Sequence, residues 1–272
     1  MVKMEKSEAI TMSIPVVILC GGKGSRLSEE TVERPKPMVE IGGKPILWHI
    51  MKIYSSYGYN DFILALGYKS DYIKNYFFNY RVSSCDFTLS MKPDGDICFH
   101  NDGEHAEWNI TCIDTGLETL KGGRIKRLEK YINSDTFFLT YGDGVSNVNI
   151  SELLEFHKNH GKLATLTAVR PPSRFGMIDL HGDVVKSFEE KPQLSEGYIN
   201  GGFFVFDKKI MDYVIEHEDC DFEFGPLQAV AEEDQLRAYK HDGFWQCMDT
   251  VRDRGYLEKL WQSNNAKWKL WD

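Results

Sequence analysis

The 272-residue sequence has no long hydrophobic run, no internal repeat and no low-complexity tract. None of its apolar stretches approaches the roughly 18 residues that a membrane-spanning helix needs, so a membrane association is not expected. Residues 1–13 mix charged and polar side chains and lack the apolar centre of a secretory signal; they read as a disordered extension. Paired cysteines are missing too. Cys20, Cys85, Cys98, Cys112, Cys220 and Cys247 stand singly, a spacing that builds neither a zinc knuckle nor a disulfide framework, and reduced thiols in the cytoplasm are expected. Nor is there a positive balance: the formal net charge is -9. A surface of that sign repels nucleic acid, so a phosphate-rich ligand has to be held by local basic groups and a bound cation.

What is present is an ordinary folded composition, with 42% apolar and 27% charged residues, long enough for one large α/β domain over residues 14–272. Strand and helix patterns alternate. Residues 14–19 read as a buried first strand, 61–66 as a second, 109–114, 137–141 and 163–169 as later ones. Between them, residues 45–57 place Ile46, Leu47, Ile50, Ile53, Tyr54 and Tyr57 on one helical face with Gly58 as a stop. Ser70 can cap a helix carrying Tyr72, Ile73, Tyr76, Phe77 and Tyr80. Helices are also expected at 122–131 and 150–160, a short strand at 85–91, and a loop or small hairpin at 92–107. After Arg170 the rhythm changes: 177–180 and 184–188 suggest a hairpin, 198–206 a strand, 208–216 and 226–233 helices, 236–240 a strand and 249–261 a last helix. The expected fold is α/β, a Rossmann-like, mostly parallel sheet flanked by helices with mixed β additions in the second half.

The chemistry-bearing residues begin directly after the first strand, at Gly21-Gly22-Lys23-Gly24-Ser25-Arg26. Glycines there let backbone N–H groups surround phosphate oxygens, and Arg26 adds a charged fork. The spacing is not that of a dinucleotide fingerprint, because Leu27 stands where a third glycine belongs. It is not a Walker loop either, because Lys23 is followed by Gly24. A tight turn without ligand is the competing reading. Further on, Arg34-Pro35-Lys36-Pro37 holds a lysine on a stiff extended segment, a good point charge for a phosphate.

Tyr141-Gly142-Asp143-Gly144 falls at a strand's carboxyl end, where α/β sheets bind ligands. Asp143 is placed to hold a divalent cation or, equally, to bond neighbouring amides in a turn. Asp249, at the end of Trp245-Gln246-Cys247-Met248-Asp249-Thr250, either caps the last helix or joins Asp143 on one magnesium ion. Glu189-Glu190-Lys191-Pro192 pairs a carboxylate suited to hydroxyls with a lysine suited to phosphate, and a charged surface turn looks the same. Glycines in Asn200-Gly201-Gly202, inside an apolar strand, signal either close approach of a ligand or a bulge.

Taken together, GGKGSRL, RPKPMVEIGGKPILWHI, YGDG, EEKP, NGGFFVF and GFWQCMD resemble the sugar-1-phosphate nucleotidylyltransferases over roughly residues 14–272, and most closely the members that use CTP and glucose 1-phosphate. The resemblance implies that Gly21, Gly22, Gly24, Ser25 and Arg26 bind the triphosphate and help hold the base, that Lys36 contacts phosphates at the reaction centre, and that Arg124 helps close over the nucleotide. It further implies Mg²⁺ on Asp143 and Asp249, the sugar and its phosphate on Glu190 and Lys191, sugar hydroxyls on Asn200 with Gly176 nearby, and a homo-oligomer built on trimers. Arg26, Lys36, Asp143 and Lys191 would carry catalysis. Departures from the family pattern are Cys20 for alanine, Lys23 for leucine and Cys247 for proline. Two rival functions are the same transfer with dTTP, GTP or another sugar 1-phosphate, and a silent sugar-nucleotide-binding regulatory subunit. The presence of both lysines and both aspartates speaks against the latter. His49, His157 and His160 fit helix positions and read as packing or surface residues.

Overall fold

Short apolar runs, buried on both faces, form the centre of the molecule. The computed structural model describes residues 13–92, 94–101, 107–171, 177–181, 184–189 and 197–271. Residues 1–12 of the expected extension, and with them Gly176, Glu190 and Lys191, lie outside the described residues. The central sheet has seven strands: β1 (Val16–Leu19), β2 (Asp61–Leu66), β3 (Asn109–Asp114), β4 (Thr136–Tyr141), β5 (Ala164–Val169), β6 (Ile199–Asp207) and β7 (Leu236–His241), in the order β7-β5-β6-β4-β1-β2-β3. Every neighbouring pair is parallel except those made by β6, which runs antiparallel to β5 and β4. The carboxyl ends of β1, β2, β3 and β4 therefore share one edge with the amino end of β6.

Alternation along β1 assigns the two layers. Val16 and Ile18 join one core cluster, Val17 the other. The first layer holds α1 (Ile46–Ser55); the second holds residues such as Ile125, Ile210 and Val230. Helix α1 is buried nearly all round, Trp48, His49 and Met51 included. Its outer side is covered by the carboxyl-terminal tryptophans, with His49 and Trp261 ring centroids 4.8 Å apart and Trp48 and Trp271 5.6 Å apart. The carboxyl terminus is packed by these aromatics, with Trp268 fully buried.

Several local expectations are corrected. Ser70 does not cap α2 (Ser70–Phe78): its N–H already bonds the Gly67 carbonyl as part of the first turn, and Lys69 takes the cap position with φ 51°. Helix α3 (Lys121–Arg127) stops earlier than expected and continues as the 3₁₀ turn Glu129–Tyr131. The segment expected as a helix at 208–216 is the 3₁₀ helix Lys208–Tyr213. The short strand expected at 85–91 is present as Phe87–Leu89, and its partner Ile97–Phe99 comes from the segment read as a loop or small hairpin at 92–107. The hairpin of Met177–His181 with Val184–Glu189 is also present. Helices α4 (Ile150–His160), α5 (Pro226–Glu232) and α6 (Val251–Gln262) complete the set of labelled elements. Among the described residues no helix is long and apolar enough to cross a membrane, and all six cysteines are free.

Candidate active site

The glycine turn after β1 is organised around a buried arginine. Arg124, on α3, donates through Nη1 to the Leu66 and Gly116 carbonyls and the Thr115 hydroxyl, and through Nη2 to the Gly21 and Leu117 carbonyls. A planar guanidinium can serve several acceptors at once, which an ammonium cannot. The guanidinium stands so close to the turn that a Cβ at Gly21 would fall 2.1 Å from Nη1. Gly21 is thus required by the arginine. Gly22, by contrast, faces open space. Gly24 takes φ 64°, where a Cβ would meet Thr31 and the Lys36 stem. Ser25 opens the 3₁₀ turn Ser25–Leu27 that carries Arg26. Arg124 lines the cleft, and its Nη1 and Nη2 donors tie the end of β2 to the loops after β1 and β3.

A second feature brings the carboxylates together. The strand Trp245–Cys247 pairs antiparallel with Gly144–Ser146, Cys247 opposite Gly144, and the Met248 N–H bonds the Asp143 carbonyl at 2.8 Å. That register sets Asp249 beside Asp143. Lys36 stands between them, its Nζ 2.6 Å from Asp143 Oδ2 and 2.6 Å from Asp249 Oδ1. Arg26 reaches the other oxygen of Asp249 at 2.7 Å. Burial alone would lower the Lys36 pKa, but the two carboxylates outweigh it and hold the ammonium above the usual lysine range. Burial likewise works to raise the Asp249 carboxyl, and Lys36 followed by Arg26 overcomes it, keeping the group below the usual carboxylate range. Cys247 is no nucleophile: burial, then Asp249 and Asp143, push its thiol up to about 12.

The helix-cap reading of Asp249 fails. Thr250 caps α6 in a capping box with Asp253, whose Oδ2 also accepts the Asp249 N–H at 3.1 Å. Its backbone is held by the box, and both oxygens of its side chain are turned to cations, Oδ1 to Lys36 and Oδ2 to Arg26. Among the described residues no group of three or more His, Cys, Asp or Glu side chains could hold a metal. Two carboxylates on a shared cation suit magnesium, which takes one or two and completes its shell with phosphate and water.

These groups line one cleft of about 500 Å³ at the strand ends, together with the glycine turn, Tyr141, Lys121 and Leu120. The structure thereby brings together Gly21, Gly22, Gly24, Ser25, Arg26, Lys36, Arg124, Asp143 and Asp249. Asn200 lies behind Tyr141, donating to its hydroxyl at 3.2 Å while accepting from the Gly202 N–H. The bulge reading of its two glycines holds, since the β5–β6 register shifts between Leu166 and Ala168. Tyr141, Lys121 and Glu223 were missed in the sequence. Tyr141 and Lys121 each precede a glycine pair or Gly-Asp-Gly, the one local signal available, whereas Glu223 has none. The histidines stand apart: His157 and His160 share the Thr165 hydroxyl, and His49 packs among tryptophans.

Known proteins share this sequence pattern and fold. The nucleotidyl transferase family pattern matches residues 15–267. Glucose-1-phosphate cytidylyltransferase of Salmonella typhimurium is 50% identical over 94% of this chain and 99% of its own. The probable glucose-1-phosphate cytidylyltransferase of Bacillus subtilis (strain 168) is 44% identical over the same shares, 94% and 99%. The crystal structure of HddC from Yersinia pseudotuberculosis superposes with a TM-score of 0.64 at 25% identity, covering 91% of this chain and 99% of HddC. The chain belongs to the nucleotidyl transferase family, on the branch of the glucose-1-phosphate cytidylyltransferases.

Proposed function

We propose that the protein transfers CMP from CTP to α-D-glucose 1-phosphate, giving CDP-glucose and pyrophosphate. The observation that carries this reading is the placement of Lys36 between Asp143 and Asp249, beside Arg26 and the glycine turn, in a protein whose relatives at 50% and 44% identity bear that name. An oxygen of the sugar phosphate forms a bond to the α-phosphorus of CTP, the bond from that phosphorus to the bridging oxygen breaks, and pyrophosphate leaves. The nucleophile is already an anion at neutral pH, so no general base is needed. Among the described residues no histidine lines the cleft, and the thiols of its two cysteines, Cys20 and Cys247, are both pushed up, mainly by burial.

The side chains then act by position and charge. Lys36 is buried, which strengthens its charge, while Arg26 is exposed and offers its charged fork to the anionic groups. Mg²⁺, held by Asp143 and Asp249, would neutralise phosphate charge when bound. The same reading puts Lys191 and Glu190 at the sugar phosphate, and includes a cytoplasmic, trimer-based homo-oligomer; these rest on the family resemblance. Pyrophosphate release measured for CTP, dTTP and GTP against a panel of sugar 1-phosphates tests it. The CTP and glucose 1-phosphate pair should exceed all others. A preference for another pair, or tight nucleotide binding without turnover, overturns it.

A further inference from the structure

One wall of the cleft is built from side chains that neither the family resemblance nor the Lys36 cluster uses. Tyr141, the last residue of β4, donates its hydroxyl to Glu223 Oε1 at 2.5 Å. Lys121, the first residue of α3, reaches the same oxygen at 2.5 Å and lies over the Tyr141 ring, 5.6 Å from its centroid. Beneath that ring, Gly202 adopts φ 77°, and a Cβ there would sit 2.6 Å from Tyr141 Cδ2. Glycine at this point of β6 is what seats the tyrosine. Asn200 holds the hydroxyl from the far side.

The arrangement is not the one that stability alone would select. Glu223 Oε2 is buried with no hydrogen-bond partner, while Oε1 carries both the tyrosine and the lysine. Lys121 is not fully used either. An ammonium has three donors, Glu223 takes one, and the side chain lines the cleft with 43% of its surface exposed. The other cleft cations are engaged elsewhere: Lys36 between two aspartates, Arg26 on Asp249, Arg124 on backbone carbonyls.

We infer that Lys121 binds the phosphate of the sugar 1-phosphate, with Tyr141 and Glu223 as positioning residues that aim its ammonium. The inference rests on the reaction proposed above and names a further group for its second substrate. The glycine turn, Arg26 and Lys36 form one side of the cleft. Lys121 lies over Tyr141, whose hydroxyl is held by Asn200, the residue that the resemblance gives to the sugar hydroxyls, so it is assigned to the partner of the nucleotide. A charged hydrogen bond there is worth about 1.5–3 kcal/mol, or roughly 10- to 100-fold in affinity.

Steady-state kinetics on the full chain test this, with each substrate varied in turn. Lys121→Ala should raise KM for glucose 1-phosphate at least roughly 10-fold and leave KM for CTP within about 2-fold. Lys121→Arg should recover part of the loss, and Glu223→Gln should raise the same KM by a smaller factor. Should Lys121→Ala melt early, Lys121→Met, which keeps the stem over Tyr141, is read in its place. An unchanged KM for glucose 1-phosphate, or a rise in KM for CTP alone or equally, overturns the inference. Wild-type protein that fails to form CDP-glucose counts against the proposed reaction instead, so the two failures are distinct.

Discussion

Lys36 Nζ lies 2.6 Å from Asp143 Oδ2 across 107 positions of the chain, and 2.6 Å from Asp249 Oδ1 across 213. Three segments remote in sequence thus converge on one nitrogen. Lys36 comes from the first residue of the 3₁₀ turn Lys36–Met38 rather than from the extended segment expected, Asp143 from beyond the carboxyl end of β4, and Asp249 from beyond the short ladder of Trp245–Cys247 on Gly144–Ser146. Burial of Lys36 is tolerated because both counter-charges are in place; leaving one buried charge unpaired is costly.

Arg124 should matter to stability more than to chemistry. Arg124→Ala strips the donor from the Gly21, Leu66, Gly116 and Leu117 carbonyls and the Thr115 hydroxyl, and a loss of at least about 3 kcal/mol is expected in urea denaturation. Arg124→Lys should recover little of it, having three donors in the wrong geometry. An unchanged denaturation midpoint in either variant contradicts the hub.

His49 predicts an acid-sensitive core. Its Nε2 bonds the Ile41 carbonyl at 2.9 Å and therefore carries the proton, leaving Nδ1 to accept from the Trp268 indole at 3.4 Å. Burial lowers its pKa from 6.5 to about 4, against the opposing pull of the Ile41 and Lys44 backbone and Glu258. A histidine neutral in the fold and titrating near 6.5 when unfolded lends stability above 6.5, and that stability is lost as pH falls towards 4. His157, also lowered to about 4 by burial and then His160, acts in the same window. Melting followed by tryptophan fluorescence should show stability dropping between pH 6.5 and 4, and His157→Gln should flatten the slope. A flat profile in the wild type refutes this account.

Thr250 separates capping from catalysis. Thr250→Ala removes the side chain that accepts the Asp253 N–H at 3.2 Å and should lower stability by about 1 kcal/mol. Because the same box fixes the Asp249 backbone, turnover should fall further than the shift in melting temperature explains, and Thr250→Ser should restore both. Equal turnover in all three proteins would show that the box serves the helix alone.

Much of the fold could be read from the chain because its signals are local. The expected strands at 61–66 and 109–114 and the helix at 150–160 coincide with Asp61–Leu66, Asn109–Asp114 and Ile150–His160. Each is a run of clear period, the helix bounded by Asn149 and by Gly161 in the left-handed region. The strand Gly144–Ser146 has no such signal and was missed, because it owes its conformation to the short apolar strand Trp245–Cys247 with which it pairs. The site divides in the same way. Gly21, Lys36, Asp143 and Asp249 stand in compact motifs. The Arg124 hub and the Lys121–Glu223 pair, 102 positions apart, join residues that no window of sequence contains. Arg124 was picked out for closing over the nucleotide; the carbonyls it serves come from the end of β2 and from the loops after β1 and β3.

The most direct test of the reaction centre is turnover of Asp143→Asn and Asp249→Asn, each titrated with Mg²⁺ and each checked for an intact melting transition. The account predicts a loss of at least ~100-fold in both, with a raised Mg²⁺ requirement and a cooperative melting transition that is lowered because Lys36 keeps only one of its two counter-charges. Near-normal turnover in both folded variants would contradict it.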